Sequence, residues 1–255
     1  MKIAIIQSSL IWEEPEANRA LFYEKINKIE EQVDLIILPE MFTSGFTMNP
    51  YLAAESMSGD SVLWLKNIAK QRNCAVTGSV AIEENGDYYN RLLFVFPSGE
   101  IKTYDKRHLF SLAGEDKKYK AGKNKITIDF RGFRICPLIC YDLRFPVFSR
   151  NVDGYDLLLY VANWPDVRVN SWDALLRARA IENQCFVIGV NRVGYDSNKN
   201  LYNGHSQAID CLGNYLLEPQ VNEGVFIVDL KKDDLLSTRK KFDFLSDRDL
   251  FTLLE

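Results

Sequence analysis

The 255-residue sequence predicts an α/β fold, and three observations carry that prediction. Short apolar, β-branched runs alternate with stretches of helical spacing. One pattern occurs twice: Asp34-Leu-Ile-Ile-Leu and Asp156-Leu-Leu-Leu-Tyr each lead through a loop and a helix to a similar strand, QRNCAVTGSV at 71–80 and ENQCFVIGV at 182–190. No Pro/Gly/Ser-rich linker or low-complexity segment divides the chain, so one domain over 1–255 is expected. Two βαβ-like halves stacked as layers would account for the echo; chance similarity between buried strands would as well.

Strands are expected at Lys2–Gln7, Asp34–Leu38, Ala75–Ala81, Arg91–Phe96, Arg134–Cys140, Asp156–Ala162, Cys185–Val190, Gln207–Cys211 and Gly224–Asp229. Helices are expected at Ala17–Gln32, where Leu21, Phe22, Ile26 and Ile29 fall at helical spacing, and at Ser61–Arg72, Phe145–Val152 and Ser171–Asn183. The turn signal NGDYYN marks Arg91–Phe96 as part of an antiparallel insertion.

Composition excludes several function classes. A net charge of −4 gives no cationic field for nucleic acid or an anionic membrane. No run approaches the ~18 apolar residues of a membrane helix, and MKIAIIQSSL reads as a first strand rather than a signal peptide. Five cysteines, 74, 136, 140, 185 and 211, fit reduced thiols in a cytoplasm. The two histidines, His108 and His205, form no Cys/His cluster, so no metal is expected.

Polar residues at the ends of apolar strands carry the chemistry. Glu40 follows LIILP, Asn163 follows LLLYVA, and Cys140 closes the run Ile135 to Ile139. Lys106 follows the hairpin-like segment 91–104. A core cysteine needs no such edge, whereas a nucleophile does. A thiol with an ordinary pKa of ~8.5 needs a base or a nearby cation. Acyl transfer also needs positive charge or N–H donors at the oxyanion. Glu, Lys and Cys supply these roles without histidine. Phe42, Phe46, Met48 and Trp164 sit beside the strand ends as pocket walls or as plain core. Arg144, Arg168 and Arg192 could pair with a substrate carboxylate. Gly204-His-Ser206-Gln-Ala208 loosely resembles a nucleophile elbow, but strand and turn signals follow it instead of a helix.

LPEMFTSGF (38–46), YDKRHLF (104–110), CYDLRFPVFSRN (140–151), YVANWP (160–165) and RARAIENQ (177–184) resemble the carbon–nitrogen hydrolase (nitrilase) superfamily, most closely its ω-amidase branch. The resemblance runs through the whole chain. It implies a four-layer αββα sandwich and a catalytic set of Glu40 as base, Lys106 as oxyanion stabiliser, Cys140 as nucleophile and Glu115 as second glutamate. The backbone N–H of Tyr141 is the implied second oxyanion donor. Phe46, Asn163, Trp164, Arg168 and Arg144 become candidate substrate-binding residues. The implied substrate is a small amide, a short dicarboxylate monoamide such as 2-oxoglutaramate or succinamate. No cofactor is required. A homodimer is implied, with the tail 241–255 near the helix after the nucleophile. Hydrolysis of an aliphatic amide, a nitrile or an N-carbamoyl amine, and a non-catalytic binding protein, remain as alternatives.

Overall fold

The computed structural model describes residues 1–253. Two six-stranded sheets lie face to face between outer helices, making the four-layer αββα sandwich. The first sheet runs β14-β1-β2-β3-β4-β5 and the second β13-β12-β9-β8-β7-β6. In chain order the first sheet uses β1 (Lys2–Gln7), β2 (Leu35–Ile37), β3 (Ala75–Glu84), β4 (Asp87–Val95) and β5 (Ile101–Asp105). The second uses β6 (Ile128–Phe130), β7 (Phe133–Ile139), β8 (Leu157–Val161), β9 (Phe186–Val190), β12 (Ser206–Ile209) and β13 (Tyr215–Gln220). β14 (Gly224–Asp229) returns to pair antiparallel with β1. A separate hairpin, β10 (Val193–Tyr195) and β11 (Leu201–Asn203), stands apart from both sheets. The helices are α1 (Pro15–Asn27), α2 (Pro50–Ala53), α3 (Asp60–Arg72), α4 (Pro146–Ser149), α5 (Val169–Asn183) and α6 (Lys232–Lys241).

Strand alternation builds the layers. In β1, Ile3 and Ile5 face the second sheet and join the core of Leu35, Ile37, Phe94, Ile135 and Leu138. Ala4 and Ile6 face outward, onto Phe22 and Ile26 of α1 and Leu65 and Ile68 of α3. The parallel strands β1-β2-β3 and β7-β8-β9 are buried on both faces, which is why they read as continuous apolar runs.

The sequence echo is a structural repeat. Asp34 and Asp156 each immediately precede a central strand, and each carboxylate accepts the backbone N–H of a residue on the preceding parallel strand, Lys2 at 2.8 Å and Arg134 at 3.0 Å. Asn73 and Gln184 each cap a helix in the left-handed region, φ 47° and 43°, and lead directly to Cys74 and Cys185. Gly78 and Gly189 then occupy equivalent places in β3 and β9. A Cβ on Gly189 would lie 2.5 Å from Leu176 and 2.6 Å from Trp172, so the glycine is what lets α5 sit this close.

Several boundaries differ from expectation. β7 ends at Ile139, and Cys140 opens a 3-10 turn, Cys140–Arg144, rather than closing the strand. The helix expected over 145–152 is the single turn Pro146–Ser149, because Asn151 bonds to Tyr155 and Asn183 and draws the chain away. α1 stops at Asn27, where Lys28 and Ile29 donate to the carbonyls three residues back. Asn85 and Gly86, at φ 56° and 83°, form the tight hairpin turn, so β4 begins at Asp87, before the expected Arg91.

Asp156→Ala should destabilise more than Asp34→Ala. Asp156 is buried and also pairs with Lys232 at 2.8 Å and Arg239 at 3.0 Å, so its loss should cost ~3–5 kcal/mol in urea unfolding. Asp34 is more exposed, and its loss should cost about 1 kcal/mol. Equal losses would contradict this assignment.

Candidate active site

The carboxyl ends of β2, β7 and β8 converge, as their parallel direction requires. Glu40, three residues beyond β2, turns inward beside Met41, whose φ is 44°. Lys106 follows β5 directly, its N–H bonded to Asn90 O at 3.0 Å. Glu115 opens a short 3-10 turn, Glu115–Lys117. Cys140 has φ 42°, in the left-handed region that non-glycine residues avoid. Such strain, of order 1–3 kcal/mol, persists only where the surroundings fix it. As second residue of its 3-10 turn, Tyr141 has a backbone N–H with no carbonyl inside the turn to receive it.

Lys106 is the centre of a buried charge cluster. Its Nζ donates to Glu40 Oε1 at 2.8 Å and to Glu115 Oε1 and Oε2 at 3.0 and 2.9 Å. Asn90 Nδ2 donates to Glu40 Oε1 at 2.8 Å and Glu115 Oε1 at 3.1 Å, tying the two carboxylates together. Glu40 Oε2 accepts from Asn163 N–H at 2.7 Å, and Glu115 Oε2 from Phe110 N–H at 2.6 Å. Asn90 was not singled out in the sequence. Its place within a turn-like NGDYYN gave no sign that β4 would carry it under both carboxylates.

Electrostatics follow from this geometry. Burial disfavours the Lys106 ammonium, but Glu115 and Glu40 outweigh it and hold its pKa above the ordinary lysine value. Glu115 is held above the usual carboxylate range by burial and by Glu40, with Lys106 opposing. The Cys140 thiol is raised well above its ordinary value, first by burial and then by the charge of Glu40, again with Lys106 opposing. Cys140 Sγ lies 3.9 Å from Asn163 O. Cys136 is likewise pushed up to about 12, first by burial among the apolar strands, with Lys125 opposing and Asp153 and Asp142 adding to the rise.

A cavity of about 540 Å³ opens above the cluster, with Cys140, Tyr141 and Asn163 on its lining. Phe46, Met48 and Trp164 also line it, and the Lys106 ammonium sits 5.0 Å from the Phe46 ring centroid. Arg144 and Arg168 line it too, stacked over Trp164 at 5.0 Å and Phe110 at 5.1 Å. No carboxylate among the described residues forms an ion pair with either arginine. Three sequence candidates lie elsewhere. Phe42 packs in the core against Phe22 and Trp64. Arg192 is 1% exposed and spends its donors on the carbonyls of Val193, Leu10 and Tyr195, bracing the β10–β11 hairpin. Ser206 is fully buried in β12 and exchanges bonds with Asn191, while His205 pairs with Asp173 at 2.9 Å.

The Carbon-nitrogen hydrolase family pattern matches residues 2–240. The chain belongs to the carbon–nitrogen hydrolase family. It is 45% identical to Omega-amidase YafV of Escherichia coli (strain K12), over 99% of this chain and 98% of that protein. It is 34% identical to the 2-oxoglutaramate amidase of Bacillus subtilis (strain 168), over 98% of each. XC1258 from Xanthomonas campestris, a CN-hydrolase superfamily protein with an arsenic adduct in its active site, superposes with TM-score 0.97 at 42% identity, over 99% of this chain and 98% of that one. Nit3 of Saccharomyces cerevisiae, from branch 10 of the nitrilase superfamily, shares the fold at TM-score 0.85 and 24% identity, over 95% of this chain and 94% of that one.

Within this family fold, the charge cluster predicts an effect of opposite sign on two readouts. Glu40→Gln removes the negative charge that raises the Cys140 thiol, so iodoacetamide alkylation of Cys140 should shift to lower pH. Amide turnover in the same variant should fall at least ~100-fold. A shift of alkylation to higher pH would contradict the electrostatic assignment.

Proposed function

We propose that this chain is an ω-amidase. It hydrolyses the terminal amide of a short dicarboxylate monoamide, 2-oxoglutaramate or succinamate, to the acid and ammonia through a thioester on Cys140. In this reading Glu40 takes the Cys140 proton as sulfur attacks the amide carbonyl. Lys106 and the Tyr141 N–H hold the oxyanion. Glu40 passes the proton to the departing nitrogen, and ammonia leaves behind the thioester. Glu40 then deprotonates water, which attacks the thioester, and the proton returns to the Cys140 sulfur as the acid departs. Glu115 keeps Lys106 charged and oriented. Asn90 holds the two glutamates in register.

One observation carries the substrate class. The cavity floored by Cys140 also holds Arg144 and Arg168 with no carboxylate partner among the described residues. A monoamide with a carboxylate at its far end would supply that partner. Arg168 takes the role in our reading, because its turn, Asp166–Arg168, directly follows the strand end at Asn163 and Trp164. Phe46 and Trp164 wall the aliphatic stem. Full-length similarity to proteins named as ω-amidase and 2-oxoglutaramate amidase supports the same class. An aliphatic amide is the second reading, since an (R)-stereoselective amidase of Pseudomonas sp is 34% identical over 85% of this chain.

We further propose a cytoplasmic homodimer. No helix among the described residues is long and apolar enough to cross a membrane. The tail lies against the start of α4 in a groove with Pro146, Val147 and Phe244, and leaves Leu250 91% exposed. A second copy would cover that surface. Leu254 and Glu255, the last residues of the tail, lie outside the described residues.

Cys140→Ala should abolish ammonia release with the fold intact, whereas Cys136→Ala should retain it. Arg168→Met should raise KM for 2-oxoglutaramate at least ~10-fold and leave a neutral aliphatic amide nearly unaffected. Wild-type preference for neutral amides or nitriles would overturn the substrate assignment, and an active Cys140→Ala would overturn the mechanism.

A further inference from the structure

Asp142 is fully buried two residues beyond Cys140, yet it does not line the cavity. Its two oxygens take four donors. Oδ2 accepts the Ile139 N–H at 3.0 Å and the Tyr104 hydroxyl at 2.7 Å. Oδ1 accepts the His108 N–H at 3.0 Å and faces His108 Nδ1 at 2.7 Å. A carboxylate has only acceptors to offer, so His108 carries a proton on Nδ1. The Tyr104 hydroxyl stays protonated, because burial first and then the charge of Asp142 raise its pKa well above the ordinary value. The His108 ring is locked in place, stacked on Phe145 at 3.7 Å with planes 6° apart.

The positions of these partners matter more than their number. Tyr104 and His108 flank Lys106 on either side, and Ile139 immediately precedes Cys140. One carboxylate therefore joins the segment that carries the ammonium to the turn that carries the sulfur and the Tyr141 N–H. It also reaches back to Ile139 N–H as a capping acid does, which helps to hold Cys140 at φ 42°.

We infer that Asp142 is a positioning residue for amide hydrolysis: it sets the separation between the Lys106 ammonium and the Cys140–Tyr141 turn on which the oxyanion forms. The inference rests on the reading of Cys140 as nucleophile and Lys106 as oxyanion donor. Preorganised donors lose their advantage when displaced by about 1 Å, at a cost of up to ~100-fold in rate. Substrate held by the cavity wall does not depend on that separation, so kcat should suffer and KM should not.

The test is Asp142→Asn, which keeps shape and volume. Whichever oxygen becomes NH2 then confronts a backbone N–H, Ile139 or His108, that cannot accept, and loses at least that bond. Steady-state kinetics with succinamate should show kcat lower by at least ~10-fold and KM within about threefold of wild type. Tyr104→Phe and His108→Ala each remove a donor from the same carboxylate and should lower kcat by smaller factors, again with KM held. They carry the test alone if Asp142→Asn does not fold. Wild-type kcat in the folded Asp142→Asn protein, or in both smaller variants, overturns the inference. So does a rise in KM matching the fall in kcat, the mark of a generally loosened cavity. Turnover retained by Cys140→Ala would instead sink the parent reading of the nucleophile, so the two failures are distinguishable.

Discussion

The site depends on one ammonium placed between two carboxylates out of reach of water. Lys106 is 1% exposed and Glu40 and Glu115 are fully buried, so none of the three charges is screened by solvent. Desolvating such groups is costly, and only mutual attraction with good hydrogen-bond geometry offsets it. Every carboxylate oxygen in the cluster has its donor: Lys106 for both acids, Asn90 for both acids, Asn163 N–H for Glu40 and Phe110 N–H for Glu115. The arrangement leaves a base, a fixed positive charge and a protonated thiol side by side. In the proposed mechanism that thiol stays neutral at rest, poorly reactive toward stray oxidants, until Glu40 takes its proton.

The architecture supplies this cluster because two repeated halves each end their parallel strands at the same cleft. β2 delivers Glu40, β7 delivers Cys140 and β8 delivers Asn163. The insertion that follows the first half adds Asn90 from β4 and Lys106 from the end of β5. Hydrogen bonds across the halves, such as Asn163 Nδ2 donating to the Glu40 carbonyl at 2.7 Å, make the cleft a shared rigid wall rather than a pair of loops. Less regular segments complete the cavity wall, the turn bearing Arg168 and the hairpin braced by Arg192, and in the proposed reading these are where substrate classes can diverge without disturbing the cluster.

Much of this was legible in the sequence. Polar residues closing apolar strands marked Glu40, Cys140 and Asn163, and the echo between 34–38 and 156–160 corresponds to matched Asp carboxylates and matched glycines. Lys106 was a candidate from its place after the hairpin-like segment, although its charged patch equally fits a solvated face, whereas Glu115 was selected only by the ordered resemblance of motifs. Burial is a property of tertiary packing, and no local pattern reports it. The same limit hid Asn90, whose amide matters because β4 passes beneath both acids, and Asp142, whose four donors come from three residues on two separate segments. It also made Arg192 look like a ligand for substrate when its guanidinium is spent on backbone carbonyls. Cys140 itself was placed one residue wrongly. The strand ends at Ile139, and the left-handed turn that aims the sulfur cannot be inferred from an apolar run.

The most direct measurement is millisecond acid quench of the enzyme turning over succinamate, followed by peptide mass spectrometry. The account predicts an acyl increment on the peptide that contains Cys140, and none on those with Cys74, Cys185 or Cys211. Ammonia release at full rate with the acyl group on another residue would contradict it.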